Sequence, residues 1–152
     1  MPSSTDIALR PEAPVGAAGE GAPLEAPGGV RIDNPREIVN RRRLTARLEQ
    51  ICEERPVGPK RRAALLAALK QALAAGRAEV RRRFEEEAAT GTVTVRSESF
   101  LVDQLIRTVF DYVGQQLYPI DNPSTGERLS LVAVGGYARG ELAPQSDIDL
   151  LF

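Results

Sequence analysis

The chain contains no histidine, and that absence closes several routes to function. A Ser-His-Asp triad, a Cys-His pair, a histidine zinc site and a His-Asp phosphohydrolase motif all need an imidazole, so none can be built from these 152 residues. Cysteine is nearly as scarce. Cys52 alone allows no internal disulfide, fits a reducing compartment and reads as a buried thiol. No apolar run reaches the length of a signal-peptide core or of a bilayer span. An excess of one charge is missing too: 20 Lys and Arg face 21 Asp and Glu, a net charge of −1 that points to neither nucleic acid nor membrane as a partner. A cytoplasmic protein is the expectation.

Large apolar side chains are sparse in residues 1–34, where Pro, Gly, Ala and Ser dominate. Such a segment buries too little surface to offset its ordering entropy, which predicts a disordered tail over 1–34.

A helical region follows, over 35–118. The first helix is expected from Pro35 to Glu54, with Asn34 as its cap, Pro35 at the first helical position, and Ile38, Leu44, Leu48 and Ile51 as an interrupted apolar stripe. Arg41-Arg42-Arg43 reads as a solvated face rather than an anion site. A second helix, about Lys60 to Ala89, carries Leu66, Leu69, Leu73, Val80 and Phe84 at helical spacing. Its Arg81-Arg82-Arg83 run precedes Glu85-Glu86-Glu87, a spacing that supports a helix surface. Gly76 interrupts it, so either a neighbour packs closely there or the helix bends. The third helix, about Ser97 to Tyr118, is the most amphipathic, with Leu101, Val102, Leu105, Ile106, Val109 and Phe110 on one side and Asp103 and Asp111 on the polar side. Asp121 to Gly126 reads as a loop back to a strand.

The chemistry gathers at the end of the chain. Leu131 to Val134 is a short apolar run stopped by Gly135-Gly136, which reads as a buried strand ending in a turn. Glycines there serve either the turn itself or the approach of a phosphate to bare backbone. After Pro144-Gln145-Ser146, a second strand over Asp147 to Phe152 would place Asp147 and Asp149 on one face, roughly 6.6 Å apart along the strand. Two carboxylates at that spacing suit hard divalent cations such as Mg²⁺, and acids among apolar residues are costly unless they are used.

Val134-Gly135-Gly136, a spacer of ten residues, then Asp147-Ile148-Asp149-Leu150 resembles the signature of the DNA polymerase β type nucleotidyltransferase superfamily. The fuller wording, Gly135-Gly-Tyr-Ala-Arg-Gly-Glu-Leu-Ala-Pro144 with Ser146-Asp-Ile-Asp-Leu-Leu-Phe152, is similar to the nucleotidyltransferase domains of the bifunctional uridylyltransferase/uridylyl-removing family, which modifies the regulatory protein PII. Ala74 to Phe84 and Val102 to Arg107 also look like that family's N-terminal helices. Ala138 departs from the usual glycine, a methyl that is tolerated unless positive φ is required.

The resemblance implies an α+β fold in which N-terminal helices lead into the first strands of a truncated polymerase-β-like domain, beginning at 129–152. It implies Asp147 and Asp149 as catalytic, Mg²⁺-holding residues and UTP as donor. Gly135, Gly136, Arg139 and Ser146 become nucleotide-binding candidates, although Arg139 is equally placed to pair with Glu141, and Ser146 already suits a turn. The acceptor is a tyrosine of PII. A third carboxylate, the hydrolase domain and the glutamine-sensing domains of that family have no counterpart here, and the chain ends mid-strand, so it reads as an N-terminal fragment that is inactive alone. The alternatives are another protein-modifying nucleotidyltransferase, such as the glutamine synthetase adenylyltransferase, and a non-catalytic truncated copy.

Overall fold

A computed structural model describes residues 30–117 and 129–152. Most of the expected tail and the loop at Asp121 to Gly126 therefore lie outside the described residues. The architecture is mainly helical, with one small antiparallel sheet. Helices α1 (Pro35–Ile38), α2 (Arg41–Glu54), α3 (Pro59–Glu86) and α4 (Gly91–Tyr112) come first, and a π-helical turn at Val113–Leu117 extends α4. Strand β1 (Val132–Ala133), the single turn α5 (Gly135–Ala138) and strand β2 (Leu150–Leu151) complete the order.

The expected first helix is broken in two. Val39 is buried in an extended conformation, and the Asn40 side chain accepts a hydrogen bond from the Arg43 N–H at 3.1 Å, which caps α2. Asparagine offers the backbone this local alternative to continuing a helix. Asn34, expected to cap, instead adopts left-handed φ of 42° and makes no side-chain cap. It is held differently: the buried Arg83 guanidinium donates to the carbonyls of Asp33 and Asn34 and pairs with Glu37 at 2.9 Å and Glu79 at 2.7 Å. Arg83 is thus an interior clamp on the chain entering α1, not part of a solvated surface, and Ile32 packs onto the core ahead of it.

Helix α3 ends at Glu86, earlier than expected, because Ala88 takes φ of 53° and the N–H groups of Glu87 and Ala89 both return to the Arg83 carbonyl. Helix α4 starts earlier, since the Thr90 hydroxyl accepts from the Val93 N–H at 3.3 Å and absorbs Gly91-Thr92 into the first turn.

Two apolar clusters share α4. Leu101, with no exposed surface, packs with Ile38, Val39 and Val80 against Leu73, Phe100 and Leu105. Its neighbour Val102 faces the other way, onto Tyr137 and Leu142, with Ile106, Ala133 and Leu150 alongside. Gly76 lets α3 come close: a Cβ there would run into the Leu101 methyls and stand 2.9 Å from the Ile38 carbonyl. Close packing is therefore the reason for this glycine.

Other stripe residues are not core. Leu66 and Phe84 are exposed, and Val109 and Phe110 are only partly covered. With Leu69, Leu131 and Phe152 they border an open apolar groove of about 500 Å³, apart from Phe84. Arg41 pairs with Asp111, and Asp103 pairs with Arg107 at 2.9 Å, so both acids lie on the polar side as expected. Cys52 is half-buried, its Sγ 3.7 Å from the Tyr112 hydroxyl.

Candidate active site

Strand β1 is too short to be stable alone and gains its position from the α4 cluster, into which Ala133 packs. It pairs with β2 antiparallel, Val132 opposite Leu151 and Ala133 opposite Leu150. The ladder continues one step, as the Val134 N–H donates to the Asp149 carbonyl at 3.1 Å. That bond ties the glycine turn to the acidic segment.

Regular strand covers only Leu150–Leu151, so Asp147 lies outside it and the expected strand alternation does not place the two acids. Gln145 adopts φ of 67° and the Ser146 N–H donates to the Ala143 carbonyl at 3.0 Å, which bends the loop just before Asp147. Ser146, Asp147 and Asp149 are all exposed. Their setting is open rather than apolar, and no ion pair engages either carboxylate among the described residues.

Gly135 is required twice over. Its φ is 63°, a conformation that L side chains rarely adopt, and a Cβ would lie 2.9 Å from Asp149 Oδ2. The Asp149 carboxylate therefore rests against the bare turn, and the structure brings these two expected residues together. The following N–H groups, at the start of α5, have no intrahelical acceptor, as in any first turn. Arg139 joins them: it donates from Nη1 to the Gly135 carbonyl at 3.0 Å and pairs through Nε with Glu141 at 3.0 Å. Of the two roles left open for Arg139, the pair with Glu141 is present. Ala138 has no positive φ, so its methyl is accommodated.

Sequence reading missed the residues beneath this turn. Tyr137 is buried between α4 and Leu142, and burial first, then the Asp103 charge, pushes its hydroxyl pKa up to about 12. Gly140, φ 67°, faces the buried Arg96, whose Nη1 donates to the Arg139 carbonyl at 2.7 Å. The Ser99 hydroxyl accepts from the buried Leu142 N–H at 3.0 Å. A usable signal existed: positions 96, 99, 102 and 106 share one helix face, but starting the helix at Ser97 excluded the first.

Comparison with known families defines the class first. Residues 121–152 match the family described as Nucleotidyltransferase domain, so a nucleotidyltransferase domain is found there. Over 122 residues, 80% of this chain, it is 50% identical to the bifunctional uridylyltransferase/uridylyl-removing enzyme of Rhodospirillum rubrum. Enzymes of the same name from Azospirillum brasilense, 44% identical over 90% of the chain, and Erythrobacter litoralis, 43% over 80%, are also homologous. The chain spans only 13–14% of the length of these relatives. No solved structure matches. No helix among the described residues is long and apolar enough to cross a membrane.

Proposed function

We propose that this chain contributes the nucleotide-transfer site of a longer protein that moves UMP from UTP onto a tyrosine of PII. The observation carrying this reading is the Asp149 carboxylate seated against Gly135, which joins the turn and the acidic segment of a nucleotidyltransferase motif. The relatives' names favour uridylyl over adenylyl transfer. A polymerase-β-like sheet is the fold that this reading entails.

Asp147 and Asp149 fit Mg²⁺, since they are hard oxygen donors, exposed and not engaged in ion pairs among the described residues. No cluster of three or more acidic or sulfur ligands occurs there, so the pair is a partial set. When bound, Mg²⁺ would supply charge neutralisation to the triphosphate and acidity to the acceptor hydroxyl. The chain's own part is positional. Bare backbone at Gly135 and Gly136 admits phosphate oxygens to the N–H groups of the turn. Arg139, exposed beside them, leaves Glu141 to neutralise phosphate charge, and the Ser146 hydroxyl offers a donor at the rim. The tyrosine oxygen bonds to the α-phosphorus as the bond to pyrophosphate breaks, and the phenolic proton passes to solvent water.

The test is incorporation of radiolabelled UMP into PII by the protein at the full length of its relatives. Asp147→Asn and Asp149→Asn should each lower the rate at least about 100-fold, the scale lost when charge stabilisation of a transition state is removed. UTP should be used in preference to ATP, and the 152-residue chain alone should transfer nothing. Undiminished incorporation by the double Asn variant would overturn the assignment.

A further inference from the structure

Helix α4 does more than contribute a core face. Arg96 is buried and donates from Nη1 to the Arg139 carbonyl at 2.7 Å, and its guanidinium occupies the space that a side chain at Gly140 would need, with Nη1 2.5 Å from the position of a Cβ. Its Nε is buried without a hydrogen-bond partner among the described residues. A buried, incompletely satisfied guanidinium is costly, and a hydrophobic residue would fill this face more cheaply. One helical turn on, Ser99 donates to the Val95 carbonyl at 2.8 Å and accepts from the Leu142 N–H, fixing the far end of the same segment. Between the two anchors, the Gly140 N–H donates to Tyr137 and the Glu141 N–H to Gly136, both at 2.9 Å. Arg139, whose carbonyl Arg96 holds, in turn donates to the Gly135 carbonyl at 3.0 Å. Arg96 is thus linked through one residue to the glycine against which Asp149 rests.

We propose that Arg96, seconded by Ser99, is a positioning residue for nucleotidyl transfer: it locks the Arg139-Gly140 peptide so that the Gly135 turn and Asp149 keep their mutual placement. This rests on the transferase reading above. Displacements of about 1 Å at a reacting centre cost on the order of 100-fold in rate. Gly140 then has its own explanation, since only glycine combines its φ with space for the guanidinium.

In the full-length protein, Arg96→Met should lower UMP transfer about 10- to 100-fold, mainly in kcat, with the melting temperature within a few degrees of the parent. Arg96→Lys, which keeps a donor for the carbonyl, should recover most of the loss. Ser99→Ala should show a smaller loss of the same kind and serves if Arg96→Met does not fold. Amide exchange gives a readout independent of catalysis: Gly140, Glu141 and Leu142 should exchange faster in Arg96→Met, while Leu101 and Leu105 in α4 stay protected. Unchanged kcat, or a loss in which kcat simply follows melting temperature across the variants, overturns the proposal. If the parent protein transfers no UMP at all, the transferase reading fails, and the exchange data alone decide whether Arg96 holds the turn.

Discussion

On α3 a charged side chain is drawn inward and matched, whereas the two acids beside the glycine turn stand outward with no ion pair among the described residues. Arg83 is buried and satisfied by Glu37, Glu79 and two carbonyls. Asp147 and Asp149, by contrast, are exposed, with no ion pair among the described residues. The difference separates two uses of the same chemistry. A matched interior charge fixes one backbone path, because leaving its partner unpaired is costly. An exposed carboxylate held only by its backbone keeps its lone pairs available to a cation. At Asp149 the main chain positions the residue through the Val134 N–H to Asp149 carbonyl bond, and the side chain makes no ion pair among the described residues.

The most forceful way to break this contrast is Arg83→Met. Removing the guanidinium leaves Glu79 to Arg82 but takes the donor from the Asp33 and Asn34 carbonyls and the partner from Glu37, and the expected cost is about 2–3 kcal/mol. Denaturant unfolding of the chain, followed by helical circular dichroism, reads this. The exchange of the Gly140 and Leu142 amides under native conditions should be nearly unaltered, because Arg83 touches only α1, α3 and the segment before them. A loss below about 1 kcal/mol would mean that the interior network does not fix the path.

Gly76 gives a smaller effect with competing signs. Alanine would raise helix propensity by up to about 1 kcal/mol. The added methyl, however, meets the Leu101 methyls and the Ile38 carbonyl, and backbone cannot swing aside, so overpacking of about 1–3 kcal/mol wins. Gly76→Ala should therefore destabilise, and a stabilised variant would show that α1 and α4 yield freely around α3.

How far the sequence alone reaches follows from the same residues. Gly76 was legible as close packing or a bend because a glycine inside an apolar helical pattern has few other uses, and Gly135 with Asp149 was legible because the motif spacing is distinctive. Arg83 and Arg96 were not. An arginine in a charged run or at a helix start looks the same whether it faces water or a carbonyl 43–50 residues away, and only tertiary structure supplies that carbonyl. The break at Val39-Asn40 was hidden similarly, since asparagine's capping competes with propensity by small margins that burial of Val39 decides.

The subtlest test uses two glutamates, Glu79 partly covered and Glu98 buried, that titrate in opposite directions. Hydrogen bonds from Arg82 and then Arg83 lower the Glu79 pKa from the usual 4.5 to about 2, against the effect of burial. Its contribution to stability is present above pH 4.5 and should be lost as pH falls from there toward 2. For Glu98 burial is the largest influence and raises the pKa above 4.5, with Arg77 only partly opposing it. The folded state then holds this proton more tightly than the unfolded chain, so stability should fall as pH rises through the folded-state value. Glu98→Gln removes the ionisation while keeping the shape. It should raise stability at pH 7 by less than Gly76→Ala costs, and the gain should vanish below about pH 4, where Glu98 is protonated in both states. Urea unfolding at pH 7 and pH 4 measures the difference. A variant less stable than the parent at pH 7 would make the Arg77 pair the stronger influence, and Glu98 would then join Arg83 as a matched interior charge.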